Sequence, residues 1–178
     1  MMKPFTIKMR LVLCLGILLS LSCAKAGHKV TRIKFQDMVP QLSYRGDGPV
    51  AVATHDKREY IVSGQSKPTY IGQVRALVIP EPVHQTTWDG VSPMAGEMNK
   101  AIVHGLANQG FQAQAVALLP TAHPEQVKES LLASSPQRAV LLEINEWMFD
   151  GINNLQLVYD IQLKVLNKDG ALLARVPA

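Results

Sequence analysis

The alternation of apolar and polar positions is clearest near the end of the chain. Between Leu155 and Leu166 every second residue is apolar, and most of the positions between them are polar. A period of two is typical of a β-strand with one covered and one wet face, and it favours antiparallel pairing. The apolar positions are Leu157, Tyr159, Ile161, Leu163 and Val165. A turn sequence at 167–170 then predicts that Ala171–Val176 pairs back as a hairpin.

Spacings of three and four residues predict a helix that begins after Ser92. Ser92 is a good N-cap, Pro93 suits the first helical position, and Gly110 supplies the C-terminal stop. The predicted apolar stripe comprises Met94, Met98, Ala101, Ile102, Gly105 and Leu106, and the polar side comprises Glu97, Lys100, His104 and Asn108. A second helix is predicted over Thr121–Ala133, with Val127, Leu131 and Leu132 facing inward.

Shorter apolar runs predict the remaining strands. These runs are Val30–Phe35, Pro49–Thr54, Tyr60–Ser63, Val74–Ile79, Phe111–Leu119 and Ala139–Trp147, and residues 80–91 are predicted to form a loop. Strands mixed with only two helices favour an α+β domain. We therefore expect a two-layer sandwich in which a mixed, largely antiparallel sheet carries two helices on one face.

The first 22 residues have the organisation of an export signal. Lys3, Lys8 and Arg10 provide a positive start, and Leu11–Leu21 is an uncharged apolar run. A membrane-spanning helix needs about 20 apolar residues, so this run has the length of a signal-peptide core instead. We expect a signal peptide over 1–22, a tether over 23–29 and one domain over 30–178. The chain ends on a predicted strand, so a domain lacking a C-terminal helix stays an open alternative.

Two processing sites follow the apolar run. Leu19-Ser20-Leu21-Ser22-Cys23 resembles the lipobox of bacterial lipoproteins, with Ser20 where leucine is usual. That resemblance implies acylation of Cys23, which becomes the new N-terminus. Ala24-Lys25-Ala26 before Gly27 is an A-x-A site for ordinary secretory cleavage and would release a soluble periplasmic product. The lipidated form is the favoured prediction.

Charge and cysteine content change once the leader is removed. The full chain has 18 basic and 14 acidic residues, but three basic and no acidic residues lie in 1–22, so 15 against 14 leaves a net charge of +1. A charge this close to zero argues against nucleic-acid binding. Cys14 lies within the leader, so Cys23 is the cysteine that remains, and a cysteine-based metal site or disulfide framework is excluded.

Motifs for catalysis, cofactors and metals are not found. The five histidines lack metal-ligand spacing, and Val62-Ser63-Gly64 lacks the first glycine of a nucleophile elbow. Glu143, Glu146 and Asp150 form the densest carboxylate cluster. Glu143 and Glu146 fall on opposite faces of a strand unless a bulge intervenes, and we interpret the cluster as a solvated sheet face and its turn. We predict no catalytic, cofactor-binding or metal-binding residue, and hence no enzyme.

Three residues are candidates for contact with a partner. Trp88 lies in a predicted loop, and exposed aromatic residues often anchor protein interfaces. Asp56 and Arg58 are two residues apart in a polar turn, where they either pair with each other or contact a partner. An ordinary ion pair is the default interpretation of the latter two.

The combination resembles the small envelope lipoproteins of Gram-negative bacteria, of the YajG type and of the auxiliary type associated with ABC transport systems. Besides the lipobox, the residues that carry it are Val50–Arg58, the helix end Ala101–Gly110 leading into Phe111, and the hairpin Leu155–Arg175, so it covers about residues 48–176. The resemblance implies a non-enzymatic accessory lipoprotein with envelope proteins as partners, and a family that finishes with a helix. Ala24 after the cysteine implies the periplasmic face of the outer membrane. The alternative is a soluble periplasmic hydrolase or small-ligand carrier.

Overall fold

The computed structural model describes residues 45–76, 79–87, 90–151 and 155–177. Within these ranges, seven strands form one mixed sheet, two short strands pair separately, and there are three helices. The strands are β1 Pro49–Asp56, β2 Tyr70–Ala76, β3 Ile79–His84, β4 Thr86–Thr87, β5 Gly90–Val91, β6 Gln112–Val116, β7 Arg138–Gly151, β8 Leu155–Asn167 and β9 Leu172–Pro177. The helices are α1 Glu59–Val62, α2 Met94–Ala107 and α3 Pro124–Leu132. The predicted mixed sheet with helices is confirmed.

The long strand β7 organises the sheet. One edge of β7 pairs antiparallel with β8 along its whole length, and β9 pairs with β8. The opposite edge pairs in parallel with β1 up to Ile144 and with β2 from Phe149. The outer neighbour of β1 is β6, which is also parallel, and that of β2 is β3, which is antiparallel. Between Ile144 and Phe149 this edge of β7 therefore passes from one strand partner to another.

The two long helices lie on opposite faces of the sheet, which corrects the predicted two-layer arrangement. Met94 and Met98 of α2 pack with Leu142 and Ile144 of β7, whereas α3 packs on the alternate positions. The cause is topological. The chain moves outward from β1 to β6 through α2 and then returns past β1 to β7 through α3. Right-handed crossovers that run in opposite directions place their helices on opposite faces.

Each face has its own apolar core. On the α2 face the core includes Ile71, Val83, Met94, Met98, Ala101, Leu142 and Ile144. On the α3 face it includes Ala51, Ala53, Val127, Leu131, Ala139 and Leu141. The near-continuous apolar character of β1 follows from this arrangement, because a strand covered on both faces has no wet side.

Some elements differ from those predicted. The run Tyr60–Ser63, predicted as a strand, lies in the one-turn helix α1 and its C-cap, and β3 to β5 occupy much of the predicted 80–91 loop. Glu97, predicted on the polar side of α2, is only 3% exposed. Its Oε1 accepts hydrogen bonds from Ser92 Oγ at 2.9 Å and Lys100 Nζ at 2.8 Å. Because this carboxylate lies in the first turn of α2, it also opposes the positive end of the helix dipole.

The leader, the tether and the predicted strand Val30–Phe35 lie outside the described residues, so the domain boundaries stay a prediction. Within the residues that are described, no helix combines the length and the apolar character needed to cross a bilayer.

Candidate functional site

Asp56 and Arg58 form a buried ion pair at the end of β1. Arg58 Nε donates to Asp56 Oδ1 at 2.7 Å, and Arg58 Nη2 donates to Asp56 Oδ2 at 2.6 Å. The residues are 3% and 0% exposed, respectively. Burial alone would lower the pKa of Arg58, but the bonds and charge of Asp56 outweigh burial and raise it. The guanidinium therefore stays charged, and neither side chain presents an appreciable surface to a partner.

Arg58 also contacts the part of the β7 edge that lies between its pairing with β1 and its pairing with β2. Its Nη1 donates to the carbonyl oxygen of Tyr70 at 2.7 Å and to that of Trp147 at 3.4 Å. Trp147 lies between the part of β7 that pairs with β1 and the part that pairs with β2, so its carbonyl has no strand partner on that edge. A buried carbonyl needs a donor, and the guanidinium supplies one. The ion pair therefore joins the end of β1 and the beginning of β2 to an interior position of β7.

Tyr60 completes this junction. Its hydroxyl lies 2.7 Å from the Trp147 carbonyl oxygen and 3.0 Å from Glu146 Oε1. Burial raises the pKa of Tyr60 to about 12; the positive charge of Arg58 opposes that rise, and the bond to Glu146 adds to it. The phenol therefore remains a neutral donor at ordinary pH. This arrangement is suited to structural support, since every polar group in it already has a partner.

The carboxylate cluster is divided between different partners. A bulge between Ile144 and Glu146 reverses the alternation of β7, so Glu143 and Glu146 both occupy the α3 side of the strand. Glu143 lies 2.6 Å from Lys164 Nζ and 3.5 Å from Lys57 Nζ, whereas Glu146 bonds to Tyr60. Burial would raise the pKa of Glu143, but the bond and charge of Lys164, aided by Lys57, outweigh it and lower the pKa. Glu143 is also only 8% exposed, contrary to the solvated position expected for it.

A cavity of about 240 Å³ lies beside Glu143, between α3 and the sheet. Its polar lining includes His55, Lys57, Lys128 and Lys164. Lysine side chains around one carboxylate leave a positive balance. An anion could bind there only in competition with Glu143, which already pairs with two of these ammonium groups. Nowhere in the described ranges do three or more His, Cys, Asp or Glu side chains converge as metal ligands would.

Among the described residues, six of the eight large apolar side chains that are exposed lie on β8 and β9. Leu157 and Tyr159 of β8 are 47% and 51% exposed, and Val176 of β9 is 58% exposed. The three share the α2 side of the sheet, because Tyr159 pairs with Trp147, which packs on the α2 core, and Val176 pairs with Leu163, which does the same. We call these three residues the β8–β9 apolar face. Among the described elements, α2 packs on β1, β6 and β7 and does not extend over this face.

The β8–β9 apolar face lies partly on the stripe that the sequence pattern predicted to be covered. The strand and its hairpin partner form as predicted, but the first two apolar positions of the stripe are half exposed. Tyr159 stands against Trp147, with ring centroids 6.3 Å apart. Two aromatic residues at a partly exposed position are characteristic of interface anchors. Cys23 and Trp88 lie outside the described residues, so lipidation and the Trp88 contact stay predictions.

Comparisons with known proteins do not assign this chain to a family. No protein-family model and no curated protein matches it. A Xanthomonas campestris protein of the family DUF330 is 12% identical, with a TM-score of 0.48 over 79% of this chain and 70% of that one. The LpoB C-terminal domain from Salmonella enterica is 10% identical, with a TM-score of 0.39 over 82% of this chain and 90% of that one. Similarity at this level transfers no function, and the YajG resemblance receives no support from it.

Proposed function

We propose that this chain is a lipid-anchored accessory protein of the bacterial envelope that binds another envelope protein through the β8–β9 apolar face. The observation that carries the proposal is the exposure of Leu157, Tyr159 and Val176 on one side of the sheet. The partly buried Ile161 and Leu163 lie between Tyr159 and Val176 on this side and connect them into one apolar patch. Such patches on a surface mark interaction sites more often than isolated apolar residues do. The proposal assigns no catalytic residue, and the periplasmic side of the outer membrane is the proposed location.

The charge distribution favours a protein partner over the membrane surface. Surfaces that bind lipid directly combine apolar residues with Lys and Arg that contact anionic headgroups. The alternate positions of β8 on this side, from Leu157 to Val165, are all apolar. The charged residues Lys164 and Arg175 are opposite each other in the strand register, and they lie on the other side of the same two strands. The partner is therefore proposed to present an aliphatic or aromatic patch, with few charges at its centre.

The proposed anchor accounts for the organisation of the first residues. Each buried methylene contributes about 0.8 kcal/mol to membrane binding, so one short acyl chain holds a protein only weakly and several hold it stably. A multiply acylated Cys23 would keep the domain at the bilayer while its apolar face stays free for a partner. The A-x-A site at Ala24–Ala26 would instead release the domain with Gly27 at its N-terminus.

The anchor is tested by Cys23→Ala with membrane fractionation and mass spectrometry of the mature N-terminus. We expect wild type in the membrane fraction with an acylated Cys23, and the variant outside it or unprocessed. Cys14→Ala is the matched control, because it changes a cysteine inside the leader, and it should fractionate as wild type does. A wild-type N-terminus at Gly27, or a Cys23→Ala protein that has lost its leader and still remains in the membrane fraction without acyl groups, would refute lipid anchoring.

The docking face is tested by a photo-reactive phenylalanine analogue placed in intact cells at position 159 or, as a control, at position 160. Asp160 is exposed on the other side of the same strand. We expect a discrete cross-linked envelope protein from position 159 only. The complex should also be lost in Val176→Glu and kept in Arg175→Glu. Equal products at both positions, cross-links to phospholipid alone, or a complex unaffected by Val176→Glu would each overturn the assignment.

A further inference from the structure

A crevice opens where the parallel strands β1 and β6 end. After β1 the chain passes through α1 and β2 to β5 before it enters α2 on one face of the sheet, and the connection that follows β6 leads to α3 on the other face. The carboxyl ends of adjacent strands separate at such a point, and open α/β sheets bind their ligands there. The crevice has a volume of about 320 Å³, roughly ten times the volume of about 30 Å³ that one water takes up in the liquid.

The crevice is apolar over most of its wall. Its apolar lining consists of Pro68, Pro93, Val116, Leu118, Leu119 and Pro120. Leu119 is 72% exposed and lies at the rim, so it offers an aliphatic surface to whatever enters. The lining favours a ligand with an aliphatic part of a few carbons.

Two residues that line this crevice each carry a buried oxygen atom that has no hydrogen-bond partner among the described residues. These atoms are Thr54 Oγ1 and Asn99 Oδ1, on residues that are 4% and 6% exposed. The amide nitrogen of Asn99 donates to the Val116 carbonyl oxygen at 3.1 Å, which fixes the side chain with its oxygen directed away from that bond. Polar atoms removed from water are normally paired. Two unpaired acceptors in one crevice therefore indicate a ligand that donates hydrogen bonds.

The beginning of α2 adds donors to the same wall. Ala95 and Gly96 line the crevice in the first turn of this 14-residue helix. The N-cap residue is Pro93, whose side chain has no oxygen to accept their amide hydrogens. A Cβ added at Gly96 would meet no atom within 4 Å, so a ligand can approach the backbone closely there. The amides of the first turn of α2 and the residues with unpaired acceptors thus line one crevice.

We propose that the crevice binds a small neutral amide, primary or secondary, that carries a short aliphatic chain. One amide N–H would donate to Thr54 Oγ1, the second N–H of a primary amide would donate to Asn99 Oδ1, and the amide oxygen would accept from the first-turn amides of α2. The chain would lie along Leu118 and Leu119. A carboxylate fits less well, because the Asp56 carboxylate also lines the crevice and would repel it. This inference goes beyond the proposed accessory role and does not depend on the anchor or on the β8–β9 apolar face.

The proposal is tested by titrating the mature protein, purified as cells process it, with hexanamide, sodium hexanoate or methyl hexanoate. The readout is the set of backbone and side-chain amide resonances in a proton–nitrogen correlation spectrum. Hexanamide should shift Gly96 and the Asn99 side chain, with an affinity about three- to tenfold higher than the ester, as expected for one or two neutral hydrogen bonds. Equal affinity for amide and ester, tighter binding of hexanoate, or no shift in the crevice would overturn the proposal.

Two variants make the test independent of folding defects. Thr54→Val removes an unpaired oxygen without removing any bond to the protein, so it should fold as wild type does and lose most of the preference for amide over ester. Gly96→Leu should fill the crevice and abolish hexanamide binding, whereas His104→Leu, an exposed position on the same helix, should not. Unchanged hexanamide affinity in Gly96→Leu would exclude the crevice. Val176→Glu should leave hexanamide binding intact, which separates this test from that of the docking face.

Discussion

Replacing Arg58 with methionine should destabilise the domain more than replacing any exposed arginine. The substitution keeps an unbranched apolar stem but removes the guanidinium, whose hydrogen bonds run to Asp56, Tyr70 and Trp147. Asp56, 3% exposed, would then be a buried charge without a counterion. Breaking a buried pair in this way costs about 3–5 kcal/mol. That is a large part of the stability of about 5–15 kcal/mol that is typical of whole domains.

Urea unfolding followed by circular dichroism measures this cost, provided that the slope of the unfolding free energy against urea is unchanged. The matched control is Arg175→Met. Arg175 is exposed and donates to Gln162 Oε1 at 2.6 Å, so its loss should change the unfolding free energy by no more than about 0.5 kcal/mol.

The double variant Asp56→Asn with Arg58→Met separates the ion pair from simple packing. It removes the uncompensated charge, so it should be less destabilised than Arg58→Met alone, by about 1 kcal/mol or more. If the two single changes added up in the double variant, the cost would be a packing cost and the ion-pair argument would be wrong. A cost for Arg58→Met no larger than that of Arg175→Met would refute the role of Arg58 as the junction between β1, β2 and β7.

Two further predictions concern His55 and Gly72. Burial lowers the pKa of His55 below its ordinary value of 6.5, although its bond to the Pro120 carbonyl opposes this. The folded state thus favours the neutral ring, and its contribution is present above pH 6.5 and lost as the pH falls below that value. Unfolding at pH 7.5 and 5.5 should therefore show a smaller loss of stability in His55→Gln than in wild type, with His104→Gln unchanged; an unaltered loss in His55→Gln would contradict the assignment. Gly72 has φ +150°, and an added Cβ would overlap the Phe149 backbone. Gly72→Ala should therefore lower the free energy of unfolding in urea by well over about 1 kcal/mol. The control is Gly96→Ala, in open space on a helix, which should be neutral or stabilising by about 0.5–1 kcal/mol. Equal effects of the two substitutions would show that the β2–β7 contact is not tight.

Local signals in the sequence were enough to locate the most regular elements. The period of two in 155–166 and the helix spacing from Met94 to Leu106 predicted β8 and α2, because each pattern reflects one face packed on a core. Tyr60–Ser63 failed because an apolar run of that length has no distinguishing period. There the chain turns into α1, with the amides of Ile61 and Val62 bonding to the Arg58 carbonyl oxygen.

The placement of α2 and α3 could not be read from the apolar stripes. A stripe indicates that a helix face is buried, but it does not indicate which side of the sheet buries it. The side of the sheet on which each helix packs depends on whether β6 and β7 lie in the same direction from β1. This strand order depends on pairings between residues more than 60 positions apart, such as Val50 with Ala113. Handedness then places the helices, once the strand order is known.

Local patterns also favour a surface position for polar residues and a core position for apolar ones. Both interpretations were incomplete, because burial also depends on how distant elements are arranged. Asp56 ends the buried strand β1 and Arg58 follows it, near the point where β7 changes its strand partner and backbone carbonyls such as that of Trp147 need donors. A charged residue at that position therefore has a structural use that composition alone does not reveal. Conversely, Tyr159 and Val176 continue regular apolar patterns beyond the reach of α2, so their exposure depends on the length and position of a distant helix. In a two-faced sheet of this kind, partner surfaces are best sought among apolar residues at the outer strands, and charged residues near strand ends are best tested first as internal connections.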